Sequence, residues 1–236
     1  GISIKIKTIF PETRKRFKDY ECSEKINPEM VVEITSEDII KECREGRAYS
    51  REYLETLALL RRFGEQFPKT ERMLVHGAAV AYKNRGYLFA APSGTGKSTH
   101  ILLWRKLLGD NVKIINGDKP VLSFGNANDI LICGSPWAGK EGCQKTRMAP
   151  LAGISILRQG TSNRITRISG KKAVEGLFRQ IYLPRDTKAA EKTLELLNRL
   201  LARIPVYRLE CDMSEQAVKA SFEKMTGFVF EKERVH

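Results

Sequence analysis

Tyr87-Leu-Phe-Ala-Ala-Pro-Ser-Gly-Thr-Gly-Lys-Ser-Thr99 is the stretch that decides the fold. Its first four residues are apolar and read as a buried strand, while His100–Leu108 carries apolar residues at helical spacing. Between them stands Ala91-x-x-Gly94-x-Gly96-Lys97-Ser98, the phosphate-loop pattern G-x-x-x-x-G-K-[ST] with Ala in place of the first Gly. The order has a physical reason. Small residues let successive backbone N–H groups curl around phosphate oxygens, and the following helix adds its positive N-terminal end. Ser93, Gly94, Thr95, Gly96, Lys97, Ser98 and Thr99 are the expected nucleotide cradle. Lys97 is expected on the β- and γ-phosphates and Ser98 on Mg²⁺.

Outward from the loop, Asp118 is the next candidate. It follows the apolar strand Val112–Ile115 and stands twenty-one residues after Lys97, so it belongs to the strand that directly follows the loop helix. An acid there can hold Mg²⁺ or take the proton of an attacking hydroxyl. His76 lies upstream in the apolar run Met73–Tyr82, and Lys83-Asn84-Arg85-Gly86 supplies a hairpin turn into the loop strand. Such a histidine either faces the phosphates or is a core residue. Downstream, residues 134–150 form a polar, glycine-rich stretch offering Lys140, Lys145 and Arg147 as cations for a moving phosphoryl group. Trp137, in the same stretch, is a stacking platform or a loop anchor.

The first 70 residues carry no chemical motif and read as a small α+β lobe, with residues 71–236 as the domain that bears the site. Residues 2–7 and Met30–Ile34 are expected strands, and Pro11–Tyr20 an exposed basic loop or strand face. Thr35-Ser-Glu-Asp-Ile opens a helix, and a second runs from about Arg51 until Gly64 and Pro68 end it. Glu55 and Arg61 are expected to pair on its surface. After Leu151–Leu157, read as a strand, helices are expected near Lys171–Ile181 and Asp186–Ala202, a strand at Ile204–Leu209 and a last helix from about Ser214.

Five cysteines in no C-x-x-C pair and three histidines leave little for a zinc site and fit reduced thiols. No apolar run approaches the roughly 20 residues of a membrane span, and the start lacks the apolar core of a secretion signal. A cytoplasmic protein with no membrane partner is expected. The net charge of +13 attracts polyanions, but the charges are scattered and no nucleic-acid-binding motif is present. An acidic metabolite, peptide or nucleotide is the expected beneficiary of that field, and nucleic acid an unlikely partner.

His76-Gly77, the hairpin, Ala-Pro-Ser-Gly-Thr-Gly-Lys-Ser-Thr and the early acid at Asp118 together resemble the HPr kinase/phosphorylase-related group. That group shares its nucleotide-binding core with phosphoenolpyruvate carboxykinase. The resemblance covers about residues 73–160, with a weaker similarity of layout beyond. It implies an α/β fold, a mixed sheet around a P-loop of the HPr kinase/phosphoenolpyruvate carboxykinase type, with ATP and Mg²⁺ as ligands. By the same resemblance, Lys97 and Ser98 hold triphosphate and metal, His76 sits near the transferred phosphate, and Asp118 matches one of two adjacent aspartates in the family. Here Asp118 stands between Gly117 and Lys119, so one acid carries both roles or another acid supplies one. That departure weakens the expectation of a reverse, dephosphorylating reaction.

The function expected is therefore transfer of the γ-phosphoryl of ATP to a hydroxyl, on a serine of a protein or peptide or on a small metabolite. Asp118, His76, Lys97 and a cation from Lys140 or Arg147 form the expected catalytic set, with Ser98 and Asp118 on the metal. A non-catalytic ATP sensor and a carboxykinase-like enzyme are the alternatives, and an oligomer is compatible with all three.

Overall fold

The computed structural model describes residues 2–22, 26–125, 129–139 and 146–232. The N-terminal part pairs β1 (Ile4–Lys7) parallel to β2 (Met30–Glu33), joined through α1 (Pro11–Phe17). Pro11–Tyr20 is thus helical, with a 3-10 turn at Lys18–Tyr20, and not the basic loop or strand expected of it. Proline at the first helical position starts the turn, and Thr13 and Phe17, four apart, bury one face while the basic side chains stay outside. Thr35 and Asp38 form a reciprocal capping box on the short α2 (Ser36–Ile40). α3 (Arg51–Gln66) runs through Gly64, because that glycine presses against Tyr182 rather than ending the helix. The expected Glu55–Arg61 pair is absent. The buried Glu55 carboxylate accepts from the Ile9 (2.5 Å) and Phe10 (3.1 Å) amides, while Arg61 pairs with Asp38 and Glu42.

The run expected as one strand from Met73 is broken at Val75–His76 into β3 (Arg72–Leu74) and β4 (Gly77–Tyr82). Lys83 and Asn84, at φ 44° and 62°, turn the chain into β5 (Arg85–Ala90), antiparallel to β4. α4 (Lys97–Leu108) follows, then β6 (Val112–Asn116), antiparallel to β4 on its other side. β7 (Val121–Phe124) and β8 (Ile130–Cys133) form the expected hairpin, with β3 on the outer side of β7.

β9 (Met148–Gln159) is longer than expected, and it joins the halves of the molecule. It pairs antiparallel with β8 at one end and parallel with β5, and its far half runs parallel to β11 (Val206–Cys211). β10 (Arg164–Ile168), which no sequence signal marked, lies antiparallel on β11. α5 (Gly170–Phe178), α6 (Thr187–Arg203) and α7 (Glu215–Thr226) complete a mixed α/β fold around a curled, nine-stranded mixed sheet.

Alternation along β5 sorts the core onto the two faces of that sheet. Leu88 and Ala90 join Leu177, Leu196, Leu197 and Leu200 from α5 and α6. Tyr87 and Phe89 join Ile101 and Trp104 of α4 and Phe222 of α7. Covering on both faces explains why Tyr87–Ala90 is an unbroken apolar run, each residue 0% exposed. A third cluster joins Phe17, Leu59 and Phe63 of the N-terminal part to Leu74, Val121 and Trp137. No helix among the described residues is long and apolar enough to cross a membrane.

Candidate functional site

β5 leads directly into the loop Ala91–Gly96, and α4 begins at Lys97. Gly94 and Gly96 have φ of +79° and +101°, a conformation that L side chains rarely adopt. A methyl at either would meet nothing within 4 Å, so backbone geometry, not lack of space, demands glycine there. α4 starts on Gly96 without a capping side chain, so the amides of its first turn are not engaged by one. The Lys97 side chain folds back along the loop, donating to the carbonyls of Ala91 (2.8 Å) and Pro92 (3.1 Å). It is only 6% exposed. Burial lowers its pKa, the nearby Asp118 charge partly offsets that, and Lys119 adds to the lowering. Gln159, at the end of β9, donates to the Gly94 carbonyl at 3.3 Å. Ser93 and Thr99 are exposed, and Ser98 and Thr95 half-buried.

Asp118 sits two residues beyond β6 on a turn built by Asn116. The Asn116 Oδ1 accepts from the amides of Asp118 (2.9 Å) and Lys119 (2.8 Å), and its Nδ2 donates to the Ser135 carbonyl at 2.9 Å. Asn116 is fully buried, so these bonds fix the turn against solvent competition. The Asp118 carbonyl accepts from Gly77, which places the chain break at Val75–His76 against the same turn. His76 Nε2 is 3.3 Å from Asp118 Oδ1, and Lys119 Nζ lies 2.9 Å from both carboxylate oxygens. Burial works against the Asp118 charge, yet the His76 hydrogen bond and the Lys119 ammonium hold its carboxyl down at about 2.

The structure therefore gathers Lys97, Asp118 and His76, which the sequence singled out separately. Lys119 and Asn116 belong with them. The run Asn-Gly-Asp-Lys carries a signal for Asn116, since asparagine commonly bonds the backbone two residues on. Gln159 had no local signal, because it reaches the loop through the sheet. Trp137 proves to be an anchor: its indole N–H donates to the Thr56 carbonyl at 3.0 Å, and its ring meets Phe17 and Phe63 edge-on. Arg147 turns toward β6, donating to the Ile114 carbonyl at 3.3 Å. Lys140 and Lys145 lie outside the described residues.

The residue set fits a polyanion with a divalent cation. A lysine held beside free helix amides suits phosphates, while one hydroxyl and one carboxylate suit Mg²⁺, which keeps several waters and takes its other ligands from phosphate. Among the described residues, no group of three or more His, Cys, Asp or Glu side chains is placed to hold a metal by itself. No family model and no curated protein sequence gives a significant match to the chain.

Proposed function

We propose that the chain is a kinase that transfers the γ-phosphoryl group of ATP to a hydroxyl, with Mg²⁺, on a P-loop core of the HPr kinase/phosphoenolpyruvate carboxykinase type. One observation carries this reading: Gly77 pairs with Ala90 at the entrance to the glycine loop and donates to the Asp118 carbonyl at 2.9 Å, so loop and acid lie side by side. The loop amides and Lys97 bind the phosphates, and Ser98 and Asp118 hold Mg²⁺. His76 and Lys119 fix the carboxylate beside the acceptor. A carboxyl held at about 2 is a weak base. It suits orienting a hydroxyl and holding a cation more than early proton removal, which the loose transition state of phosphoryl transfer tolerates. The acceptor is a serine of a protein or peptide or a small metabolite, and the excess of positive charge favours an acidic one. A cytoplasmic setting belongs to the same reading.

A second reading, an ATP sensor without transfer, is favoured by the same low proton affinity and by the prior engagement of the lone acid with Lys119. Transfer of label from γ-labelled ATP into a size-fractionated cell extract separates the two. Lys97→Ala is expected to weaken ATP binding, and unchanged affinity in that variant removes the loop from the reading. Asp118→Asn is expected to bind ATP and to lose transfer by roughly a hundredfold or more. Binding by wild type with no labelled acceptor selects the sensor.

A further inference from the structure

Lys119 enters the site as the neighbour that holds the Asp118 carboxylate, and that task leaves part of its bonding capacity unused. Its backbone is pinned on both sides. The amide donates to Asn116 Oδ1 at 2.8 Å and to the Trp137 carbonyl at 3.1 Å, and the carbonyl accepts from the Ser135 hydroxyl at 2.5 Å. Asn116, Ser135 and Trp137 are all buried, so water does not compete for these bonds and the root of the side chain is fixed. The side chain is 22% exposed and sets Nζ 2.9 Å from each Asp118 oxygen.

An ammonium carries three donors. Lys119 spends two on Asp118, and among the described residues no acceptor takes the third. Lys97 is in the same state: two donors go to the carbonyls of Ala91 and Pro92, and no described residue takes the third. The fold brings the two lysines to one place although the chain separates them. Ala90, which leads into the glycine loop, pairs with Gly77. The Gly77 amide in turn donates to the Asp118 carbonyl, whose peptide continues into Lys119. Two ammonium groups beside a glycine loop, each with one donor unspent, are complementary to a chain of linked phosphates.

We propose that Lys119 is a second polyphosphate-binding lysine of this site, its third N–H bonding a phosphate oxygen of the nucleotide while the other two stay on Asp118. The inference deepens the ATP reading and rests on it. Its test is equilibrium binding of ATP to the whole chain in EDTA and 0.15 M salt. Neither metal nor turnover then enters the measurement, and distant charges are largely screened.

Lys119→Met is expected to weaken ATP binding roughly tenfold, the worth of about one charge-assisted hydrogen bond. Lys119→Arg, which keeps charge and donors, is expected to retain most of the affinity. Uncovering the Asp118 charge would also weaken binding, so the deciding comparison is made in Asp118→Asn. There Lys119→Met is still expected to cost roughly tenfold. No further weakening in that background assigns Lys119 to holding Asp118 alone and overturns the proposal. Lys106→Met, on the exposed side of α4, makes the same change in net charge and is expected to bind as wild type; an equal loss there overturns the proposal too. Affinity that falls in Lys97→Ala but not in Lys119→Met overturns the role of Lys119 and leaves the loop in place. Absence of ATP binding in wild type, or unchanged affinity in Lys97→Ala, removes the nucleotide reading and this inference with it. Melting curves check that each variant folds.

Discussion

His100 stands one turn inside α4, directly under the glycine loop, and is 3% exposed. Its Nε2 lies 2.9 Å from the Ser221 hydroxyl, which donates its single hydrogen to the Val218 carbonyl and also accepts from Trp104. With that hydrogen spent, Ser221 can only accept, so His100 carries its proton on Nε2 and leaves Nδ1 buried without a partner. Burial pushes its pKa down to about 4. The folded value lies below the unfolded one, so between pH ~6.5 and ~4 the unfolded chain binds the extra proton and stability falls with falling pH. The loss approaches an order of 3 kcal/mol at the acid end. Urea titrations at pH 7 and pH 4.5 are expected to show a smaller drop for His100→Gln than for wild type; equal drops remove this histidine as the cause. Asp118 acts in a separate window: its depressed carboxyl adds stability above pH ~4, lost as pH falls toward about 2. Lys97, Ser98 and Asp118 were legible in the sequence because each follows a strand or opens a helix within a short local pattern. His76 was legible only as a choice between ligand and core. Its proximity to Asp118 depends on the strand break at Val75, which an apolar run conceals.

At the scale of elements, long amphipathic segments such as α3 and α6 were read closely, and errors fell where two signals competed. In α1, three basic residues masked the Thr13–Phe17 face. In α3, a glycine that commonly ends helices is there for room. A Cβ on Gly64 would come 2.5 Å from the Tyr182 ring, whose hydroxyl is held by Glu65 at 2.9 Å. Alanine gains about 1 kcal/mol of helix propensity, while forcing a methyl against a fixed ring costs about 1–3 kcal/mol. Gly64→Ala is therefore expected to lower the melting temperature, by a few degrees at most. A rise would show that Tyr182 swings aside freely. β10 went unread because its pattern of exposed arginines resembles a loop; only β11 makes it a strand.

For the whole molecule, the boundary drawn at residue 70 marks a change of composition but not a gap in packing. Trp137, Val121 and Leu74 share a core with Phe17 and Phe63, and α3 caps the Trp137 indole through Thr56. A chain beginning at residue 71 is expected to melt on the order of 10 °C lower, since it leaves that shared core open. Its tryptophan emission is expected to shift to the red as Trp137 meets water. Unchanged melting and emission would show that the N-terminal part is a separate unit.

The position of β9 has a consequence for synthesis on the ribosome. β5 ends at Ala90, yet its parallel partner on β9 extends to Ile156, and β11 finishes its own pairing with β9 only at Cys211. At about 5–20 residues per second, the nascent loop strand waits several seconds with one hydrogen-bonding edge open. During that interval the apolar run Tyr87–Ala90 is a sticky template, so yield in a fast-translating host will depend on holdase chaperones and on temperature before it depends on final stability.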